Sequence, residues 1–111
     1  MYVYNAEIIK IIDADTFDAV VDVGFSIKIT TRFRIRDYDA PETWRPRNTS
    51  EAEHGYKATK FAKDLLESKS MKIRSYKIGI YGRYTADLIL PDGRDYATVM
   101  KENNFSKLDE Y

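Results

Sequence analysis

The order of two apolar periodicities along this chain is the feature that most restricts its fold. Three segments carry the alternating or β-branched patterns that predict strands: residues 3–12, 16–23 and 26–38. A helical repeat of apolar side chains follows, and it predicts a helix that ends near Ser68 with one apolar face: Ala58, Phe61, Ala62, Leu65 and Leu66.

The second half of the chain completes the pattern. Two more strands are predicted over residues 71–76 and 84–90, and a short helix over residues 96–103. Three strands, a helix, two strands and a helix is the element order of an OB-fold. We therefore predict an α+β, mainly β structure: a five-stranded OB-fold barrel with a helix between strands 3 and 4 and a short C-terminal helix.

The start of the first helix is ambiguous in the sequence. Pro41 and Pro46 bracket a loop, after which Ser50 and Glu53 form a possible capping box. Gly55 could equally mark a later start. The sequence leaves both starts open.

Length and composition limit the chemistry. A chain of 111 residues fits one domain, so we predict that residues 1–111 form a single unit. It has no Cys and one His, which excludes disulfides, thiolate metal sites and a His-rich zinc site within one chain. Lys plus Arg (18) equals Asp plus Glu (18), so no global basic field attracts nucleic acid. Any such affinity must be local or come with a metal ion.

The N-terminus carries no targeting signal that we can identify. It has no basic start and no apolar run of signal length, and no segment is long enough to span a membrane. We therefore expect a cytoplasmic protein without a membrane partner.

Charged residues cluster in three separated segments. Asp13 and Asp15 lie at the end of the first strand, residues 34–42 are rich in Arg and carboxylates, and Arg83 follows a glycine between the last two strands. A divalent cation prefers oxygen ligands, a phosphate accepts from Arg, and an attacking water needs a base. Together the segments are typical of phosphodiester hydrolysis.

Each segment also has a simpler interpretation. Asp13 and Asp15 could merely end a strand, and Asp39 with Glu42 could form an ordinary acidic turn around Pro41. Arg32 and Arg36 alternate with Arg34 on one strand face, and for these two residues we favour a solvated surface. His54 lies at a polar helix start beside Glu51 and Glu53 and is expected on the surface.

Three motifs resemble those of the staphylococcal nuclease (thermonuclease-like) family, in matching order and separation. They are Ile-Asp-Ala-Asp-Thr at residues 12–16, Phe-Arg-Ile-Arg-Asp-Tyr-Asp-Ala-Pro-Glu-Thr at 33–43 and Tyr-Gly-Arg-Tyr at 81–84. The resemblance extends over about residues 8–106. It implies an OB-fold enzyme that cleaves DNA and RNA with one Ca²⁺, has little sequence specificity and leaves 3′-phosphates.

The resemblance also implies a metal site. Asp15 and Asp39 would be direct ligands of the cation, and the backbone carbonyl of Ala40 would be a third. Asp13 would support the site from just outside it. Ala40 stands where the family usually has Thr, a change that a carbonyl ligand should tolerate.

The remaining implied roles concern the reaction and the substrate. Glu42 would hold or deprotonate the attacking water, and Arg34 and Arg83 would clamp the phosphate in the transition state. Tyr81 would contact a neighbouring phosphate. Ile80 stands where a Lys commonly precedes Tyr-Gly-Arg, so one cation of the family pattern is missing.

A different function class stays open beside the nuclease. OB barrels often bind nucleic acid or protein without chemistry, so the alternative is a non-catalytic binding module. The complete charged set favours the enzyme, for which we expect DNA and RNA as substrates, no protein partner and a monomeric state. Trp44 and Tyr111 are the candidates for stacking on a base, although packing of Trp44 over the loop is at least as plausible.

Overall fold

The computed structural model describes residues 2–67, 69–78 and 84–111. Its five strands are β1 (Tyr2–Asp13), β2 (Thr16–Asp22), β3 (Lys28–Ile35), β4 (Ser70–Ile78) and β5 (Tyr84–Ile89). Helix α1 (Thr49–Leu66) lies between β3 and β4, and helix α2 (Tyr96–Glu102) follows β5. The predicted order of elements is confirmed.

The strands form a closed barrel in the order β1-β2-β3-β5-β4. All neighbours are antiparallel except β3 and β5, which pair in parallel from Phe33 opposite Tyr84 to Ile35 opposite Ala86. Strand β1 has 12 residues and pairs with both β2 and β4, with register shifts where its pairing to β2 is interrupted. This closed barrel with its two helices confirms the predicted OB-fold.

Aromatic rings pack between the barrel and α2. Tyr96, the first residue of α2, is fully buried and meets the Phe17 ring edge-on at a centroid distance of 5.3 Å. Phe17 in turn lies 5.9 Å from the Phe33 ring on the neighbouring strand. Asp95 caps the helix, since its side chain accepts from the backbone N–H of Thr98 at 3.1 Å. The capped helix therefore holds Tyr96 against the barrel interior.

Helix α1 begins earlier than either start considered from the sequence. Its N-cap is Asn48, whose side chain accepts from the backbone N–H of Glu51 at 3.0 Å. Ser50 and Gly55 both lie inside the helix. Gly55 is needed there for contact, because a Cβ atom at this position would lie 2.9 Å from Thr43 Cγ2 and 3.0 Å from the Pro41 carbonyl oxygen.

The segment after α2 packs back onto α1. His54 bonds through Nε2 to the carbonyl oxygen of Asn104 at 2.7 Å and through Nδ1 to the hydroxyl of Tyr111 at 2.6 Å. The Arg47 guanidinium lies 4.8 Å from the centre of the Tyr111 ring. His54 therefore anchors this segment, a role that its polar sequence context did not indicate. Neither helix in the described part of the chain has the length and apolar character to cross a membrane.

Candidate active site

The turn between β1 and β2 is fixed from two sides. The Tyr96 hydroxyl donates to the carbonyl oxygen of Ala14 at 2.6 Å in a buried contact. The backbone N–H of Ile35, at the end of β3, donates to the carbonyl oxygen of Asp15 at 2.8 Å. The Asp15 side chain therefore starts from a backbone that is held against the end of β3.

The Asp15 carboxylate accepts from three different donors. Its Oδ1 accepts from the Thr16 hydroxyl at 3.0 Å, and its Oδ2 accepts from the backbone N–H of Ala40 at 3.0 Å and from Arg34 Nη2 at 3.4 Å. The side chain is only 13 % exposed. These contacts orient it toward the loop that follows β3.

Arg34 connects Asp15 to Asp39. The same nitrogen, Nη2, donates to both carboxylates, so the two acids predicted to share a site do converge. Burial alone would lower the pKa of Arg34, but the hydrogen bond to Asp39 and the charges of Asp15 and Asp39 raise it overall. The Asp39 side chain is 72 % exposed, so this cluster opens to solvent.

Asp13 lies beside this cluster and has a different partner. The Thr43 hydroxyl donates to its carboxylate, which ties the β1–β2 turn to the loop after β3. Burial raises the pKa of Asp13, the hydrogen bond from Thr43 opposes the rise, and the charge of Asp15 adds to it. Asp13 therefore joins two segments of the site. It is close enough to Asp15 for the charge of that residue to raise its pKa, but its hydrogen-bond partner is Thr43 and not Arg34.

The loop with Pro41 and Glu42 lies directly on helix α1. Pro41 is buried and Glu42 is half-buried. Among the residues that the structure describes, no hydrogen bond or ion pair engages the Glu42 carboxylate. A Glu42 carboxylate without a partner in the described part of the chain suits a group that must bind water or accept a proton.

Glu51 also contacts this loop through its carboxylate, and it was not identified as a site residue from the sequence. Glu51 is fully buried, and it accepts from the backbone N–H of Arg47 at 2.8 Å. Lys107 Nζ lies 3.7 Å from its other oxygen. Two sequence signals were available: an acidic residue in the first turn of a helix, and the Asn-x-x-Glu spacing of a capping box from Asn48 to Glu51, which was assigned instead to Ser50 and Glu53.

Arg32 and Arg36 lie on the exposed surface predicted for them, and each also forms an ion pair there. Arg32 forms two bonds to Asp18, at 2.7 and 3.1 Å, directly across from it on β2. Arg36 Nε lies 3.4 Å from Asp87, and its guanidinium stands 4.3 Å from the centre of the Tyr76 ring. Each guanidinium has an aspartate on a neighbouring strand, and this pairing depends on register rather than on local sequence.

The oxygen donors at this site are suited to a hard cation but do not complete its coordination. Two carboxylates converge, and the Ala40 carbonyl belongs to the same loop. Within residues 2–67, 69–78 and 84–111, no group of three or more His, Cys, Asp or Glu side chains is arranged to hold a metal ion. Because Ca²⁺ takes 6–8 oxygens, most of its ligands would have to be backbone, water or substrate oxygens. Tyr81 and Arg83 lie outside the described residues.

Comparison with known proteins identifies one family. The model of the staphylococcal nuclease homologue family matches residues 32–108, well over half of the chain. This span contains Arg34, Asp39 and Glu42, whereas Asp13 and Asp15 precede it. No curated protein matches the chain.

Proposed function

Because the chain belongs to the staphylococcal nuclease homologue family, we propose that it is a calcium-dependent nuclease. It hydrolyses DNA and RNA phosphodiester bonds with little sequence specificity and leaves 3′-phosphates. The observation that carries this proposal is the convergence of Asp15 and Asp39 on one nitrogen of Arg34, beside a loop whose Glu42 carboxylate has no partner among residues 2–67, 69–78 and 84–111.

Asp15, Asp39 and the carbonyl of Ala40 are the groups that would hold the cation. Bound Ca²⁺ supplies positive charge to a phosphate that would otherwise be repelled by two carboxylates. The exposure of Asp39 gives the ion a route from solvent. Asp13 acts indirectly in this proposal, by holding Thr43 and the loop in place.

Glu42 and Arg34 carry the remaining chemistry in the described part of the site. Glu42 takes a proton from water as the water oxygen bonds to phosphorus. The bond from phosphorus to the 5′ oxygen breaks, that oxygen takes a proton from solvent water, and the phosphate stays on the 3′ oxygen. Arg34 donates to the phosphate oxygens, whose negative charge grows in the transition state. We assign the second donor to Arg83 and a neighbouring phosphate contact to Tyr81, on the strength of the motif alone.

A non-catalytic nucleic-acid-binding module is the second candidate. It is favoured because Asp15 and Asp39 are already paired to the Arg34 side chain, and because no cluster of three acidic, His or Cys ligands occurs among the residues that the structure describes. The equal numbers of acidic and basic residues argue against tight binding by charge alone. The two candidates differ in whether the bound strand is cut.

Incubation with heat-denatured DNA separates them. The nuclease cleaves in Ca²⁺ and stops in excess chelator, and its products become primers for a polymerase only after a phosphatase removes the 3′-phosphate. A binding module retards the DNA in a gel and leaves it intact under both conditions. Intact DNA in the presence of Ca²⁺ would overturn the enzyme proposal.

The exposed side chain of Trp44 indicates how the substrate could be bound. Its side chain is 79 % exposed and lies two residues beyond Glu42, so it does not pack over the loop as one interpretation of the sequence suggested. Tyr111, the other stacking candidate, already holds Arg47 over its ring and His54 at its hydroxyl. We therefore propose that Trp44 stacks on an unpaired base of the substrate.

Trp44→Ala should raise KM for a single-stranded oligonucleotide roughly 10–100-fold with little change in kcat, since a base stacked on an aromatic ring contributes about 1–3 kcal/mol. Trp44→Phe should keep most of the affinity. Trp44 is the one Trp of the chain, so its fluorescence reports binding directly. Single-stranded oligonucleotide should quench it in wild-type protein, while an abasic strand of the same length should not. Equal quenching by both strands, or an unchanged KM in Trp44→Ala, would rule out the stacking role.

A further inference from the structure

We propose that Glu51 is a positioning residue that fixes the loop carrying Asp39 and Glu42. The inference rests on the proposed nuclease function, because it assigns Glu51 a role in arranging that site. Glu51 does not touch the substrate in this proposal. It acts through the backbone of the loop and through Lys107.

Glu51 holds the last residue of the loop segment 42–47. The Glu51 Oε1 atom accepts from the backbone N–H of Arg47 at 2.8 Å and from Arg47 Nε at 3.3 Å. The backbone N–H of Arg47 is the largest cause that lowers the pKa of Glu51; burial opposes it, and the Arg47 side chain, the backbone N–H of Glu42 and the charge of Lys107 lower the pKa further. The Glu51 carboxylate thus accepts a hydrogen bond from the main chain at the last residue of the segment, and the backbone N–H of Glu42, at its first residue, further favours the charged form.

Lys107 extends this arrangement to Asp39. Its Nζ lies 3.7 Å from Glu51 Oε2, an oxygen that has no hydrogen-bond partner in the described part of the chain. The backbone N–H of Lys107 donates to the carbonyl oxygen of Asp39 at 2.8 Å. The adjacent residue is held as well, since the Tyr38 hydroxyl donates to the carbonyl oxygen of Phe105 at 2.6 Å. Lys107 therefore links the Glu51 carboxylate to the backbone of Asp39.

The face of α1 that carries Glu51 also packs closely against the loop. Glu51 and Gly55 are four residues apart, so they lie on one face of α1. A Cβ atom at Gly55 would approach the carbonyl oxygens of Pro41 and Glu42 to 3.0 and 3.1 Å. The loop backbone therefore rests on the helix, with the Glu51 carboxylate one turn away.

A capping box accounts for only part of the contacts of this carboxylate. Asn48 accepts the backbone N–H of Glu51, and Glu51 reaches back to the backbone N–H of Arg47, one residue before the N-cap, but a box of this kind does not involve Lys107. A buried carboxylate costs desolvation free energy unless donors satisfy it, and the donors that Glu51 finds come from the loop and from Lys107 rather than from its own helix. The negative charge of Glu51 therefore holds the loop in place.

The test compares Glu51→Gln with Glu53→Gln, an exposed position on the same helix. Glu51→Gln preserves the shape but loses the charge and one acceptor oxygen. We expect its kcat on a short oligonucleotide in saturating Ca²⁺ to fall about 10–100-fold with KM nearly unchanged, because a small misplacement of the catalytic groups has effects of that size. Amide hydrogen exchange at Glu42 and Arg47 should become about tenfold faster while the barrel amides stay protected. Glu53→Gln should match wild type in both measurements.

Each outcome is decisive. A folded Glu51→Gln protein with wild-type kcat, or with unchanged exchange at Glu42 and Arg47, overturns the positioning role. If Glu51→Gln does not fold, Lys107→Met decides the question, since it removes the other charge of the pair and should slow kcat in the same direction without a rise in KM. If wild-type protein does not cleave at all, the proposed function fails, and the exchange rates still show whether Glu51 holds the loop.

Discussion

Glu42→Gln should slow cleavage of a short oligonucleotide by roughly 10²–10⁴-fold in kcat, the size of a general acid–base contribution. Glutamine has nearly the same shape as glutamate and can still orient a water molecule, but it cannot accept a proton. The Glu42 carboxylate has no other partner among the described residues, so the substitution breaks no ion pair there. KM should stay close to the wild-type value, because Glu42 acts on water rather than on the strand.

Single-turnover kinetics under saturating Ca²⁺ measure this effect, with circular dichroism to verify folding. Glu53→Gln is the matched control, since Glu53 is exposed on α1 and should cleave at the wild-type rate. A Glu42→Gln protein that is folded and cleaves as fast as wild type would remove Glu42 from the mechanism. Loss of Ca²⁺ binding in this variant would reassign the residue to the metal site.

Arg34→Ala should lower kcat about 10²–10³-fold, the effect of losing one preorganised donor to the transition state. The same substitution removes the positive charge that lies between Asp15 and Asp39. Because the Arg34 guanidinium and Ca²⁺ are both positive and repel each other, the two carboxylates should bind Ca²⁺ at least as tightly in the variant as in wild type. Arg34→Ala is therefore expected to need no more Ca²⁺ for half-maximal activity while cutting far more slowly.

Calorimetric titration with Ca²⁺ beside single-turnover cleavage separates these two effects. Arg32→Ala serves as the control, because Arg32 lies on the same strand and its guanidinium pairs with Asp18 instead. That exposed pair should contribute little to stability, and the variant should cleave like wild type. Weaker Ca²⁺ binding in Arg34→Ala, with cleavage fully restored by excess Ca²⁺, would show that Arg34 organises the metal ligands and does not act on the phosphate.

Periodicity predicted the fold because each element has a regular apolar face. The prediction was wrong at the ends of β3, where single residues adopt unusual backbone conformations. The third strand was predicted over residues 26–38, but β3 spans only Lys28–Ile35. Phe25 and Ser26 take positive φ angles of 56° and 63° in the turn before it, and Asp37 does so at 58° after it. The identity of a Phe or Ser gives no sign of such a conformation, which is rare outside Gly, Asn and Asp.

The candidate site was predictable only where successive strands of the meander end side by side. Adjacent strand ends in a three-stranded meander bring Asp15 and Asp39 together, and their shared contact with Arg34 agrees with that expectation. Long-range contacts carried no local signal. The hydroxyl of Tyr96 reaches Ala14 across 82 positions of sequence, and the partner of Arg36 is Asp87, 51 positions away. Their sequence context gave no indication of these partners.

The initial rate of cleavage as a function of free Ca²⁺ shows whether hydrolysis depends on a cation held at Asp15, Asp39 and the Ala40 carbonyl. The substrate is a single-stranded oligonucleotide, and wild type is compared with Asp39→Asn, which keeps the shape of a proposed ligand but removes its charge. We expect no cleavage in excess chelator, a rate in wild type that saturates as one site fills, and a shift of the Asp39→Asn curve to higher Ca²⁺. Equal rates with Ca²⁺ and with excess chelator would contradict this expectation.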